Sequence, residues 1–398
     1  MFYKAINIYK ESFSGLSHSV WLLCLIMFIN RAGAMVLPFM TLYLTDDLHF
    51  TKTSAGWVMG AYGAGSILGA YIGGQLTDRF GYYYIQFYSL VLGSLLLFLL
   101  VFLEGFYVIT ATVFIFAAIS DTLRPANSVA IAAYATEENR TRSFSLMRFA
   151  INLGFSIGPV VGGLVAQWIG YRWVFVIDGV TCLIAAFILS QYLPYKSSNK
   201  PIKQDIKVQD SNSAYKDSEY LTFIILVAIW ATAFFQLFAS VPLYWQTEWG
   251  FSKSTIGMLL GLNGLIIVLF EMPFIKTLEH VRKYMTMISI GSFFMIFAFL
   301  TLLTGWHHIF PAFLFIVLMS FAEMFAMPFM TNYAVSKPSE NRRGQYMALY
   351  SMAYGIAHIL APVGSLAIAD KFGFQYTYIL MIIMSLGLTI SFFSLSKR

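Results

Sequence analysis

The sequence predicts an all-α polytopic membrane protein with twelve transmembrane helices in two six-helix bundles. Three observations predict this class: recurrent apolar runs, an uneven distribution of basic residues among the loops, and an internal repeat. Of the 398 residues, 59% are hydrophobic and only 11% are charged, and the mean hydropathy is +0.71. Because a soluble domain carries roughly 25% charged residues, this composition excludes a soluble domain and favours a chain that spans lipid.

Apolar runs of about 20 residues, the length that crosses a hydrocarbon layer of about 30 Å, follow one another along the chain. Twelve such spans are predicted near residues 20–45, 55–77, 85–104, 106–135, 145–168, 173–193, 221–247, 255–277, 284–305, 309–335, 344–370 and 376–395. The first 19 residues are expected to form a juxtamembrane segment without a cleaved signal peptide.

The basic residues predict the orientation of these spans. Eighteen of the 25 Lys and Arg residues fall in the two termini and the loops on the same side, four fall in the opposite loops, and Arg31, Arg124 and Arg148 fall inside spans. Cytoplasmic loops carry the excess of positive charge. We therefore expect both termini to lie in the cytoplasm. The membrane that the chain spans is expected to be a bacterial plasma membrane.

A polar segment, residues 194–220, divides the spans six and six. It is rich in Lys, Ser, Asn and Asp and has almost no apolar face, so it is predicted to be a flexible cytoplasmic linker. Residues 20–193 and 221–398 then form an N-terminal and a C-terminal six-helix bundle.

An internal repeat supports this division. "FTKTSAGWVMGAYGAG" (50–65) aligns without gaps with "FSKSTIGMLLGLNGLI" (251–266), and the later prolines Pro125 and Pro159 align with Pro328 and Pro362. The repeat runs in the same direction in both halves. Parallel repeats with a binding site at their interface are typical of secondary transporters.

The loop "GGQLTDRFGYYY" (73–84) joins spans two and three and supplies a family resemblance. Its G-x-x-x-D-R-x-G pattern resembles motif A of the major facilitator superfamily, whose fold the chain is expected to share. In that family the Asp and Arg form a conformational latch, a role that the resemblance assigns to Asp78 and Arg79. Gly81 is expected to permit the turn. Tyr82 and Tyr83 stand where the family usually has Arg or Lys.

The stretch "NLGFSIGPVVGG" (152–163) in span five resembles motif C, which in the same family is associated with drug:proton antiporters. Its small residues are spaced for close helix packing, and its proline is expected to kink the helix. These residues are Gly154, Gly158, Pro159, Gly162 and Gly163. Ser145 replaces an earlier Gly of the family pattern.

"AISDTLRPANS" (118–128) places an acid, a base and a proline in the middle of span four. Arg124 matches the Arg of the family's motif B, which in antiporters influences proton release from a nearby acid. Asp121 lies one helical turn away and can pair with it. We interpret Asp121 as a proton site, Arg124 as its modulator and Pro125 as a kink, and a static ion pair is the alternative.

Other acids inside the spans are rival proton sites. The repeat places Glu323 in span ten opposite Ser120, next to Asp121. Glu271 in span eight is a further candidate, although it can also pair with Lys276. Asp178 in span six is expected to be a cap or an ion-pair partner of Arg172, and His358 a core residue.

The candidate substrate-binding residues are cations, amides and aromatic side chains inside spans, where polar groups mark binding sites. They are Asn30, Arg31, Arg124, Arg148, Asn152, Trp230 and Gln236. Their arginines can hold a carboxylate, and their aromatic rings suit amphipathic compounds. Sequence alone does not show which aromatic side chains face a cavity.

The chain has no H-E-x-x-H, G-x-S-x-G or phosphate-binding glycine loop, so an enzyme or an ATP-driven pump is not expected. Cys24 and Cys182 lie in apolar segments, and neither a metal nor a cofactor is predicted. The interpretation is a monomeric secondary transporter, with protons, lipid and a small-molecule substrate as partners and no nucleic acid. Proton-coupled efflux of amphipathic compounds or drugs is favoured. Transport of peptides or other zwitterions is the alternative.

Overall fold

The computed structural model describes residues 15–136, 139–195, 214–278, 284–337 and 343–397. These residues form helices joined by turns and short loops, without a β-strand among them. Residues 1–14 of the predicted juxtamembrane segment and residues 196–213 of the predicted linker lie outside the described residues.

Each of the twelve predicted spans corresponds to one helical segment, with ends that differ by a few residues. In chain order, spans one to twelve are His18–Asp47, Lys52–Phe80, Tyr82–Leu100, Phe106–Tyr134, Arg140–Trp168, Tyr171–Tyr192, Ser218–Thr247, Lys253–Leu278, Tyr284–Leu302, Ile309–Ser336, Arg343–Lys371 and Phe374–Ser396. Within the described ranges, eleven helices are long and apolar enough to cross a membrane. Span two has sufficient length, 29 residues, but many of them are glycines.

The glycines of span two form two packing faces. Toward its end, Gly65, Gly69 and Gly73 pack against span four, where a Cβ at Gly73 would lie 2.5 Å from the Cα of Thr122. Toward its start, Gly56, Gly60 and Gly63 pack against span eleven, where a Cβ at Gly60 would lie 2.5 Å from Val363 Cγ2. Only hydrogen at these positions allows the backbones to approach so closely.

Three spans are interrupted, and each interruption lies four residues before a proline. Span four breaks between Phe106–Ser120 and Leu123–Tyr134, before Pro125. Span one breaks between His18–Gly33 and Val36–Leu42, before Pro38. Span seven breaks between Ser218–Phe234 and Val241–Thr247, before Pro242. A proline lacks an N–H and its ring clashes with the carbonyl four residues earlier, which confirms the predicted kink at Pro125.

Proline alone does not interrupt a helix here. Pro159, Pro273, Pro328 and Pro362 all lie inside continuous helices. At the break in span four, by contrast, the Ile119 carbonyl accepts from the hydroxyls of Thr122 at 2.7 Å and of Ser89 in span three at 3.0 Å. The breaks therefore occur where another polar group satisfies the backbone.

The chain divides into two compact units. Unit 1 comprises Met1–Val36 and Gly65–Ile202, and unit 2 comprises Leu37–Ala64 and Lys203–Arg398. The segment Leu37–Ala64, which the sequence assigned to the N-terminal bundle, thus groups with the second half of the chain. The division into bundles at residues 193 and 221 stays a prediction.

Candidate functional site

Asp121 is buried at the break in span four, with 5% of its surface exposed. One carboxylate oxygen accepts a hydrogen bond from the Ser66 hydroxyl of span two. The other oxygen forms an ion pair with Arg124 at 3.1 Å. The Arg124 side chain is 61% exposed, so the pair joins a buried acid to an exposed base. The predicted pairing is confirmed, and Ser66 is a partner that the sequence did not reveal.

Glu323 is half-buried in the middle of span ten. Asn263 of span eight donates to its Oε2 at 3.4 Å and to the Ser320 hydroxyl at 2.9 Å. Asn263 is itself buried, and its amide is the polar exception in an apolar stretch of span eight. That exception is the signal by which the sequence could have identified it.

Glu271 is buried in span eight, with 7% exposure. Its burial shows that the side chain does not extend to the solvent. The side chain of Lys276, its predicted partner, lies outside the described side chains. Glu271 therefore stays a candidate proton site on the ground of its burial.

Arg31 and Asn30 lie at the end of the first helix of span one. The Arg31 guanidinium lies over the ring of Phe155 in span five, 5.4 Å from its centroid. Asn30 donates to the sulfur of Cys182 in span six at 3.4 Å. The neighbours of Arg31 that the structure gives in span five are Gly154 and Phe155.

Arg148 and Asn152 lie four residues apart on span five. Arg148 is exposed and Asn152 is half-buried. Both positions are compatible with contact to a polar ligand, and their assignment to the substrate stays a prediction.

Gln236 and Trp230 are fully buried in unit 2. The Gln236 amide donates to the carbonyls of Thr232 at 3.1 Å and Ala361 at 3.3 Å and accepts from the Ser240 hydroxyl at 2.7 Å. Gln236 thus stabilises the break in span seven. The Trp230 ring stacks on Phe234 at 5.3 Å between centroids. Neither side chain has exposed surface that a substrate could contact in this structure. Their role in substrate binding stays a prediction.

Half-buried aromatic side chains of spans seven and eleven lie side by side. The rings of Phe235 and His358 are 3.8 Å apart, and His358 Nδ1 lies 2.9 Å from the Tyr354 carbonyl. The Tyr354 hydroxyl accepts a hydrogen bond from the Tyr350 hydroxyl at 3.2 Å, and Tyr354 lies close enough to Glu323 to interact electrostatically. The sequence could not select this group among its many aromatic residues.

The predicted latch lies between spans two and three. Gly81 has φ 85°, the left-handed conformation that the turn requires. Asp78 and Arg79 are exposed, Arg79 lies over the ring of Phe80, and the described residues give Asp78 no ion-pair partner. Tyr82, where the family has a basic residue, packs instead against Tyr134 at 5.8 Å between ring centroids.

The glycine face of span five packs against the break in span one. A Cβ at Gly154 would lie 2.6 Å from the Arg31 Cβ, and one at Gly158 would lie 3.2 Å from the Arg31 carbonyl oxygen. Gly162 and Gly163 are buried on the same helix, and Pro159 lies inside it. Close packing at Gly154 and Gly158 follows from the absence of side chains.

Asp178 of span six lies on the opposite side of the same break. Its Oδ2 accepts a hydrogen bond from the Val36 N–H at 3.4 Å. Its predicted partner Arg172 pairs instead with Glu104 at 2.9 Å, because both side chains are exposed at the span ends. Pairing with Arg172 is therefore wrong, and Asp178 caps the break in span one.

Comparison with known proteins identifies the family. A family model described as Major Facilitator Superfamily matches residues 21–362 and, in a second match, residues 237–398. The chain is similar to a "Na(+), Li(+), K(+)/H(+) antiporter" of Planococcus maritimus, with 24% identity over 89% of this chain and 90% of the relative. It is also similar to "Multidrug resistance protein 1" of Bacillus subtilis (strain 168), with 27% identity over 85% of this chain and 86% of the relative.

Among solved structures, a POT family transporter in complex with 5-aminolevulinic acid has the same fold. Its TM-score is 0.81 at 13% identity, and the match covers 97% of each chain. The family match across the chain and the twelve helical spans lead to one conclusion: the chain is an integral membrane transporter of the Major Facilitator Superfamily, and not an enzyme.

Proposed function

We propose that the chain is a proton-coupled exporter of small amphipathic compounds that works by alternating access. One observation carries this proposal. Spans four and ten occupy matching places in the repeat, and each carries an acid bound by a polar side chain of another span in its half. Asp121 is bound by Ser66 of span two, and Glu323 is bound by Asn263 of span eight.

An acid inside a membrane protein can act as a reversible proton carrier. Burial disfavours its charged form, whereas a neighbouring cation or hydrogen-bond donor favours it. A conformational change that alters these neighbours therefore changes proton occupancy, and by linkage the proton gradient then biases the conformational equilibrium. Asp121 has a cation and a hydroxyl beside it, and Glu323 has an amide.

The substrate class follows from the surroundings of Glu323. Glu323 interacts with Tyr354, and the half-buried Tyr354 ring belongs to a group with Phe235 and His358. An acid beside such a group suits an amphipathic organic cation, which can interact with both the carboxylate and the ring faces. The names of two relatives, a multidrug resistance protein and a cation/proton antiporter, support export and proton coupling.

Transport of peptides or other zwitterions is a second candidate. The Arg124 guanidinium is largely exposed although it is paired, so it can also bind the carboxylate of a substrate. Arg31 and Arg148 are further cations within spans one and five. The similarity of fold to a POT family transporter agrees with this candidate but shows only the fold.

The cellular setting belongs to the same proposal. The bias of basic residues toward one set of loops and the bacterial origin of the relatives support a bacterial plasma membrane with both termini in the cytoplasm. We propose that the monomer is the transporting unit. Reporter fusions at Arg398 test the orientation, because a cytoplasmic end keeps green fluorescent protein fluorescent and alkaline phosphatase inactive.

Purified protein in liposomes tests the function directly. An imposed pH gradient should drive accumulation of a fluorescent lipophilic cation or a fluoroquinolone, and a protonophore should abolish it. Gradient-driven accumulation of a dipeptide in the same assay, without accumulation of the cation, would instead support the second candidate. Accumulation that does not depend on the gradient, or that occurs equally in liposomes without protein, would contradict the proposal.

A further inference from the structure

Span one changes from one helix to the next across a single tight turn. Ala34 has φ −69° and ψ 66°, the conformation of an inverse γ-turn, and the Met35 N–H donates to the Gly33 carbonyl at 2.6 Å. This turn interrupts the helical hydrogen bonds. The Val36 N–H, which begins the next helix, therefore needs a partner outside span one.

Asp178 of span six supplies that partner. Its carboxylate interacts with the backbone N–H groups of Met35 and Val36 and is 5% exposed. Span one contributes the charged Arg31 to its surroundings, and span six contributes the thiol of Cys182, whose sulfur lies 3.8 Å from Oδ1. Span three packs nearby through the uncharged Phe98, which contacts Gly179.

The chain on either side of the turn is held tightly by small residues. Gly154 and Gly158 of span five approach the backbone of Arg31 and Ala32, and Gly33 approaches the side chain of Thr181 in span six. The glycine contacts do not respond to pH. The bonds from Met35 and Val36 to Asp178 are different, because their acceptor can bind a proton.

The turn also lies where the chain passes from one compact unit to the other. Val36 is the last residue of the first segment of unit 1, and Leu37 begins the segment that groups with unit 2. A change in the bonds at Val36 therefore acts on the short connection between the two helices of span one. Connections of this kind absorb backbone rotation when parts of a protein move.

The second half of the chain provides an internal comparison. The break in span seven is stabilised by the amide of Gln236, which bonds to Thr232, Ala361 and Ser240. An amide does not titrate. The break in span one thus has a carboxylate as its polar partner, whereas the break in span seven has an amide.

We infer that Asp178 is a positioning residue that holds the break in span one when it is ionised and loosens it when it is protonated. A carboxylate is a stronger acceptor of N–H hydrogen bonds than a neutral acid. The proton comes from water at low pH and returns to water at high pH. This inference deepens the proposed proton-coupled transport and rests on it for its significance. It adds a further acid to Asp121, Glu323 and Glu271.

Hydrogen exchange of the purified full-length protein in lipid nanodiscs tests the inference without substrate or transport. Exchange of peptides covering residues 30–40 is measured at about pH 6 and about pH 8 and corrected for the intrinsic pH dependence of exchange. Protection should fall roughly tenfold at the lower pH. This is the change in the opening equilibrium that one pKa unit of linkage between proton binding and opening produces. Peptides covering residues 233–243, around Gln236, serve as the internal control and should show no such change.

Two variants identify the responsible group. Asp178→Asn cannot titrate and should give the low-pH protection at both pH values. Val36→Pro removes the Val36 donor while keeping the acid and the Met35 N–H, at a helix position where proline is tolerated, and should reduce the pH dependence. Wild-type protection that does not change with pH, or a change that persists undiminished in both variants, would overturn the inference. Neither result depends on whether the protein proves to transport a drug, a peptide or a proton.

Discussion

Asp121 shows at the scale of one residue how a membrane span accommodates an acid. Pro125 prevents a regular helix at Asp121, and the break allows the carboxylate to bind Ser66 on one side and Arg124 on the other. The Arg124 side chain is 61% exposed, whereas Ser66 is only 6% exposed. The buried hydroxyl of Ser66 is therefore the more specific partner of the charged form.

Replacing Ser66 should change the pH dependence of transport. Ser66→Ala removes a hydrogen bond to the carboxylate, and bonds to charged groups contribute about 1.5–3 kcal/mol. Gradient-driven transport should therefore depend differently on pH than in the wild type, because this hydrogen bond favours the charged form of the carboxylate. Ser94→Ala is the control, because in the described part of the chain the buried Ser94 hydroxyl has no hydrogen-bond partner. Equal pH profiles for both variants would rule out this role of Ser66.

The sequence identified which ionisable residues lie inside spans, but not their partners. Asp121 and Arg124 are three residues apart, so their pairing follows from helix geometry. Ser66, Asn263 and Asp178 reach their partners from other spans, and one sequence does not specify which faces of two helices meet. The same limit explains Trp230 and Gln236, which are polar or aromatic as expected of a binding site but are buried within unit 2.

At the scale of helices, proline and glycine determine most of the local geometry. Three prolines lie four residues after a break, whereas four others lie in continuous helices. The sequence therefore predicts where a break can occur. Whether it occurs depends on a tertiary partner for the released backbone groups, such as Asp178 or Gln236, and this is information that the sequence alone does not contain.

The glycine face of span five should tolerate no side chain at Gly154. A Cβ there would lie 2.6 Å from the Cβ of Arg31 and 2.9 Å from the nitrogen of Ala32. Gly154→Val should reduce stability by about 1–3 kcal/mol, the usual cost of overpacking, and should impair transport. Thermal unfolding in detergent and flux in liposomes measure the two effects.

Gly387 in span twelve provides the matched control, because no atom lies within 4 Å of a Cβ built there. Gly387→Val should leave both stability and transport near wild type. Equal losses for the two variants would show that the effect comes from valine in any helix, and not from the contact with span one.

At the scale of the molecule, span two connects the two compact units. Its early glycines pack against span eleven within unit 2, and its late glycines pack against span four within unit 1. Polar contacts accompany the first face: the Thr53 hydroxyl donates to Asp370 at 2.7 Å, and Lys253 pairs with Asp46 at 2.9 Å. For alternating access we expect this group of contacts to open and close.

Blocking the contact at Gly60 should therefore stop the transport cycle without unfolding the protein. A Cβ at Gly60 would lie 2.5 Å from Val363 Cγ2, whereas no atom lies within 4 Å of a Cβ at Gly364 on the facing helix. Gly60→Leu should abolish transport and Gly364→Leu should not, with both proteins still monodisperse in detergent. Normal flux in Gly60→Leu would show that this contact does not need to close.

The claim on which the account depends is that Asp121 carries the transported proton. Its most direct test compares two fluxes of the same Asp121→Asn protein in liposomes: accumulation of the amphipathic cation driven by a pH gradient, and exchange of that cation without a gradient. The account predicts that Asp121→Asn abolishes the first and retains the second, because a neutral amide binds no proton but still accepts the Ser66 hydrogen bond. If Asp121→Asn still concentrates the cation while Glu323→Gln does not, Glu323 is the carrier and the pair of Asp121 and Arg124 is structural.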